Sequence, residues 1–169
     1  ISAPSKAGKT WLAIRMFYSL ATGTPWLGMG CRRCTALYVN LEVSGAMFAR
    51  RCEAVRAASG IECEECEGAF VMNARGCGLT ASGLAQCVIE EFGDGLGAIF
   101  IDPLYMIEEG DENSVSDVKP MLSELDRLMT ECGCSLVAVH HQPKGASGGK
   151  ASIDRMAGSG AFARWPDAL

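Results

Sequence analysis

Residues 3–10 read Ala-Pro-Ser-Lys-Ala-Gly-Lys-Thr, and directly behind them Trp11, Leu12, Ile14, Phe17 and Leu20 recur at helical spacing. A Gly-Lys-Thr that opens straight into a helix constrains the fold more than any other feature of the chain. Successive backbone amides at a helix N-terminus make a concave anion cradle, a lysine there reaches the outer phosphates, and the hydroxyl that follows can ligate magnesium. Ala3, Pro4, Ser5, Lys6, Ala7, Gly8, Lys9, Thr10 and Trp11 are therefore the candidate nucleotide-binding residues, with Thr10 a candidate magnesium ligand. Ala3 stands where this spacing normally has its first glycine, a departure that requires ordinary backbone angles at that position. Such a loop follows a buried central strand, for which Ile1 and Ser2 leave at most a stub. We therefore expect a fragment lacking its first strand, and Leu169 ends a segment heading toward another.

The helix after the loop stops at Thr22-Gly23-Thr24-Pro25, where glycine and proline break the pattern. A strand is expected over 35–41, a helix over 44–59, a weaker strand over 69–74 and a helix over 80–92. The run Gly97-Ala98-Ile99-Phe100-Ile101 is apolar throughout and ends at Asp102. Such a run suits a strand covered on both faces, hence a parallel sheet. An acidic loop over 105–113, a helix over 115–131 with Pro120 near its start, and a buried strand over 135–139 follow. Residues 142–160, rich in Gly, Ser, Ala and Lys, read as a flexible loop. The alternation predicts one α/β domain over 1–169, a three-layer doubly wound fold with a mainly parallel central sheet, incomplete at both ends. Its ligand site belongs at the carboxyl edge of the strands.

Polar residues fall at those strand ends. Asp102 has the placement of a carboxylate that steadies magnesium against a nucleotide. Glu42, after Tyr38-Val39-Asn40-Leu41, is placed to polarise an attacking water, against the rival role of capping the helix that begins near Ser44. His140 and His141, the only histidines in the chain, follow the last strand and can report loss of a terminal phosphate to the loop behind them. Lys9, Glu42, Asp102 and His141 make up the catalytic set, with His140 and His141 as phosphate sensors. The tail is the most basic part of the chain: Lys144 and Lys150 are candidate DNA contacts, and Arg155 and Arg164 candidate arginine fingers.

The formal charge of -5 gives no net attraction for nucleic acid, so contact with DNA would need a local basic patch or a ring presenting one. No apolar run is long enough to cross a bilayer, and the N-terminus lacks the pattern of a signal peptide, so a cytoplasmic chain without a membrane partner is expected. Nine scattered cysteines fit reduced thiols. Cys31-x-x-Cys34 and Cys63-x-x-Cys66 have the spacing of a four-thiolate zinc site, but they meet only if two loops converge across an intervening strand and helix.

In these pieces the chain resembles the RecA-like P-loop NTPases of the RepA type, the hexameric replicative helicases and related AAA family ATPases of plasmids and phages. The likeness covers nearly the whole chain. It is carried by the loop at 3–10, Thr22-Gly23-Thr24-Pro25-Trp26-Leu27-Gly28, Tyr38-Val39-Asn40-Leu41-Glu42 and Ile101-Asp102-Pro103-Leu104. It continues through Gly110-Asp111-Glu112-Asn113-Ser114, Leu125-Asp126-Arg127-Leu128, His140-His141 and Asp154-Arg155-Met156-Ala157-Gly158-Ser159-Gly160. The resemblance implies a RecA-like fold, an ATP and Mg2+ site between subunits of a homo-oligomeric ring, a hexamer in the intact protein, and hydrolysis coupled to movement on single-stranded DNA. It assigns Glu42 as water activator, Asp102 as magnesium carboxylate, the histidine pair as phosphate sensor, and the 142–160 loop as the segment facing the DNA channel. Two other readings stay open on the residues alone: an ATP-dependent regulator or recombinase-like ATPase without unwinding, and a non-catalytic module stabilised by nucleotide or zinc.

Overall fold

The computed structural model describes residues 1–4, 6–107, 114–141 and 165–167. β1 (Ser2–Ala3) precedes the phosphate loop, and α1 (Lys9–Thr22) leaves it. Then come β2 (Ala36–Asn40), α2 (Gly45–Ala58), β3 (Ala69–Asn73), α3 (Ala81–Phe92), β4 (Ala98–Asp102), α4 (Val115–Cys132), β5 (Ser135–Ala138) and β6 (His140–His141). Short 3-10 turns at Cys63–Cys66, Gly93–Gly95 and Leu104–Ile107 lie between these elements. The helices start and stop where the sequence provides caps: the Ser44 and Thr80 hydroxyls accept from the backbone N–H of Met47 and Gly83, and Gly23 and Gly133 close α1 and α4 in left-handed conformations.

The sheet runs β3-β2-β4-β5, and its pairings are parallel. Past β5 the same chain changes partner. The Val139 N–H still donates to Ile101 O at 2.9 Å, whereas the His140 N–H donates to Ile1 O at 3.0 Å and β6 pairs in parallel with β1. Of the first strand a two-residue stub is present, the lesser of the two expectations for it rather than its outright lack: Ser2 and Ala3 are enough for a ladder because β6 offers its free edge. The histidine strand consequently lies between the strand of the phosphate loop and the strand that ends in Asp102.

Alternation along the strands sorts two cores. Leu37, Val39, Ile99 and Ile101 pack on one face under α3 and α4, with Leu84, Val88, Leu125 and Leu128. Ala36, Tyr38, Ala98 and Phe100 pack on the other under α1 and α2, with Ile14, Phe17 and Phe48. Helices cover both faces, so β2 and β4 are buried at every position, as their apolar runs up to Asn40 and Asp102 require. Among the described residues no helix is long and apolar enough to cross a membrane.

Candidate functional site

The phosphate loop owes its shape to two left-handed residues, Lys6 at φ 64° and Gly8 at φ 88°. A lysine in that region is strained, and such strain gathers where a loop is shaped for a ligand. Ala3 lies in β1 without a positive φ, so the missing glycine costs the loop nothing. Gly8 is the N-cap of α1, no side chain caps that end, and the first turn carries no acidic residue. The first amides of the helix therefore face an open groove of about 520 Å³. Lys6, Ala7, Gly8, Lys9, Thr10 and Trp11 line it from the loop side, and Glu42, Val43 and Arg51 from the other.

Lys9 is buried, and its Nζ donates to the carbonyl oxygens of Ala3 at 2.6 Å and Pro4 at 2.9 Å. Burial pulls its ammonium below the ordinary lysine value, while the Asp102 and then the Glu42 carboxylate oppose that shift. Lys9, Asp102 and Glu42 thus share one electrostatic neighbourhood, though they come from α1, the end of β4 and the turn after β2. Ser5 and the side chain of His141 lie outside the described residues; His140 is buried in β6 beside Ser2. Lys144, Lys150, Arg155, Arg164 and the loop expected over 142–160 also fall outside them, as does the acidic stretch 108–113.

Several residues at the site were not picked out from sequence. Asn40 is buried at the end of β2; its Nδ2 donates to Val43 O at 2.7 Å and to Asn73 Oδ1 at 2.8 Å, and its Oδ1 accepts from the Val43 N–H at 3.1 Å. These bonds close the turn that presents Glu42. The Tyr38 hydroxyl donates to Asp102 Oδ2 at 2.6 Å. Burial, then the charge and hydrogen bond of Asp102, raise the Tyr38 phenol well above its ordinary value. The Tyr105 phenol is also raised, first by burial and then by the Glu42 and Asp102 carboxylates, which places it near both. The Arg51 guanidinium sits over the Trp11 ring, 5.8 Å from its centroid, at the mouth of the groove. A polar residue inside an apolar strand, such as Asn40, was the one available signal; Tyr105 and Arg51 carried none, because neither falls at a strand end.

The cysteine pairs do not converge. Cys34 packs against the Gly97 backbone at the start of β4, while Cys63 and Cys66 border a separate groove with Cys52 between α2 and β3. Among the described residues no three His, Cys, Asp or Glu side chains gather where they could hold a metal ion, and all nine cysteines are free thiols.

A phosphate loop feeding a helix, a carboxylate at the end of a neighbouring strand and a parallel sheet covered on both faces define a RecA-like P-loop NTPase fold. Residues 1–147 match the family model described as AAA domain. The chain belongs to that family and is a P-loop ATPase domain. No curated protein is significantly similar to it.

Proposed function

We propose that this domain is a magnesium-dependent ATP hydrolase and the motor of a plasmid- or phage-type replicative helicase, moving on single-stranded DNA as part of a homo-oligomeric ring. The observation that carries the hydrolase part is the meeting of Lys9 and Glu42 around one groove fed by the amides of α1, with the Asp102 carboxylate near enough to act on the Lys9 ammonium. The helicase part rests on the likeness of the sequence motifs to the RepA-type ATPases.

In this reading the amides of residues 7–10 and the Lys9 ammonium take the phosphates and spread their charge. The donor set beside them, the Thr10 hydroxyl and the buried Asp102 carboxylate, is of hard oxygens and suits magnesium, which when bound would neutralise charge building on the outer phosphates. Glu42, held by the Asn40 turn, orients a water against the terminal phosphate and accepts its proton as the new oxygen–phosphorus bond forms. The bond to the leaving nucleoside diphosphate then breaks, its charge met by Lys9. His140 and His141, on the strand between loop and Asp102, pass the change to the chain that follows.

The test is phosphate release by the intact protein with and without single-stranded DNA, together with strand displacement on a forked duplex at stated salt. Lys9→Ala is expected to abolish nucleotide binding or turnover. Glu42→Gln should keep binding and lose about 10²-fold or more in turnover. Full turnover in Glu42→Gln removes that residue from the mechanism, and DNA-independent turnover without displacement favours the regulatory or recombinase-like ATPase.

A further inference from the structure

Tyr38 lies two residues before the end of β2, level with Phe100 on β4, so Asp102 is its diagonal neighbour on the same face. A diagonal pair is separated by roughly 7–8 Å, a span that a tyrosine bridges and a shorter side chain does not. The phenol makes the bridge at 2.6 Å, to one oxygen of the carboxylate only. Its ring cannot wander. It stacks on Phe100 with 4° between planes, meets Phe17 edge-on at 80°, and touches Phe48 at a centroid separation of 4.8 Å. Tyr38 has no exposed surface and Asp102 is almost as deeply buried.

Phe17 belongs to α1, the helix whose first residues close the phosphate loop, and Phe48 to α2, the helix that follows Glu42. One aromatic cluster therefore joins the phosphate loop, the Glu42 segment and the Asp102 strand, and Tyr38 ties it to the site by the hydrogen bond to Asp102 Oδ2.

We infer that Tyr38 is a positioning residue that fixes the rotamer of Asp102 by engaging Oδ2, which leaves Oδ1 as the oxygen that would serve a metal bound with the nucleotide. This rests on the reading of Asp102 as the magnesium carboxylate. Without the hydroxyl, the carboxylate is free to rotate inside a pocket of unchanged shape, and the cluster loses its hydrogen bond to Asp102. A buried hydrogen bond to a charged group has an effect on the order of 10- to 100-fold in an equilibrium.

The experiment compares wild type, Tyr38→Phe, Asp102→Asn and the double variant, all keeping the ring packing, in the full chain. The first readout is the magnesium concentration that half-saturates tight binding of a non-hydrolysable ATP analogue. Tyr38→Phe should raise it about 10-fold or more, leave magnesium-free nucleotide affinity within about twofold of wild type, and add nothing to Asp102→Asn in the double variant. The second readout needs no nucleotide: a slowly exchanging downfield hydroxyl proton in the NMR spectrum, absent from Tyr38→Phe and displaced in Asp102→Asn. A normal magnesium response in Tyr38→Phe, with a clear loss in Asp102→Asn, overturns the positioning role while sparing the metal site. If Asp102→Asn itself leaves magnesium dependence untouched, the metal reading falls and takes this inference with it. An additive double variant also overturns it, because Tyr38 would then act elsewhere.

Discussion

Asn40→Ala is the perturbation whose cost can be worked most directly from the structure. The change removes three side-chain hydrogen bonds, two with the Val43 backbone and one with Asn73. Each contributes a net ~0.5–1.5 kcal/mol, and because Val43 is only half-buried, water can reach part of what is left unpaired. The sum is about 2–4 kcal/mol, a large share of the ~5–15 kcal/mol that holds a domain folded. Asn73→Ala breaks one of the three bonds on a more exposed residue and should cost about 1 kcal/mol. Urea unfolding at constant m is the assay: for m of about 2 kcal/mol/M the midpoint of Asn40→Ala should fall by ~1–2 M, and that of Asn73→Ala by roughly a quarter to a half of that. The double variant should fall short of additivity by about the one shared bond. Because the same turn presents Glu42, turnover should drop in Asn40→Ala while nucleotide affinity holds. If Asn40→Ala costs no more than Asn73→Ala, the turn is held by something else and the reasoning fails.

Two further outcomes follow from packing and burial. A methyl at Gly97 would stand 2.4 Å from Cys34 Cβ and 2.9 Å from its Sγ, so Gly97→Ala should lower stability by about 1–3 kcal/mol in thermal unfolding. Cys34→Gly should recover part of that and Cys34→Ala little, since the Cβ contact persists; a Gly97→Ala protein as stable as wild type would refute the clash. Burial raises the Cys52 and Cys134 thiols from an ordinary 9.0 to about 11, so between those values the folded state binds more protons than the unfolded one. Stability should be intact below pH 9 and fall as pH rises toward 11, with a shallower fall in the Cys52→Ala/Cys134→Ala variant.

Most of the framework was legible in the sequence because period and punctuation agree. Apolar residues at helical spacing between Lys9 and Thr22, and the unbroken run ending at Asp102, give α1 and β4 within a residue or so. The phosphate loop, Asp102 and Glu42 were legible because they sit where a strand or helix changes to a turn. What escaped depends on register, which no single strand carries. That Tyr38 lies level with Phe100, and hence diagonal to Asp102, exists only once β2 and β4 are aligned. Whether the stub before the phosphate loop pairs at all was hidden for a similar reason: two residues have no period, and only the neighbouring edge of β6 makes them a strand.

The alternation of β2 and β4 has a consequence for how such a protein can change over generations. Tyr38, Asn40 and Asp102 share one parity along their strands, and the half of the molecule built on Leu37, Val39, Ile99 and Ile101 under α3 and α4 shares the other. Substitutions in that second half can swap volumes and compensate one another without touching the face that carries Tyr38 and Asp102. Gain or loss of a single codon inside β4 allows no such latitude, because it turns Asp102 to the opposite face and sets an apolar side chain beside Tyr38 in the same stroke.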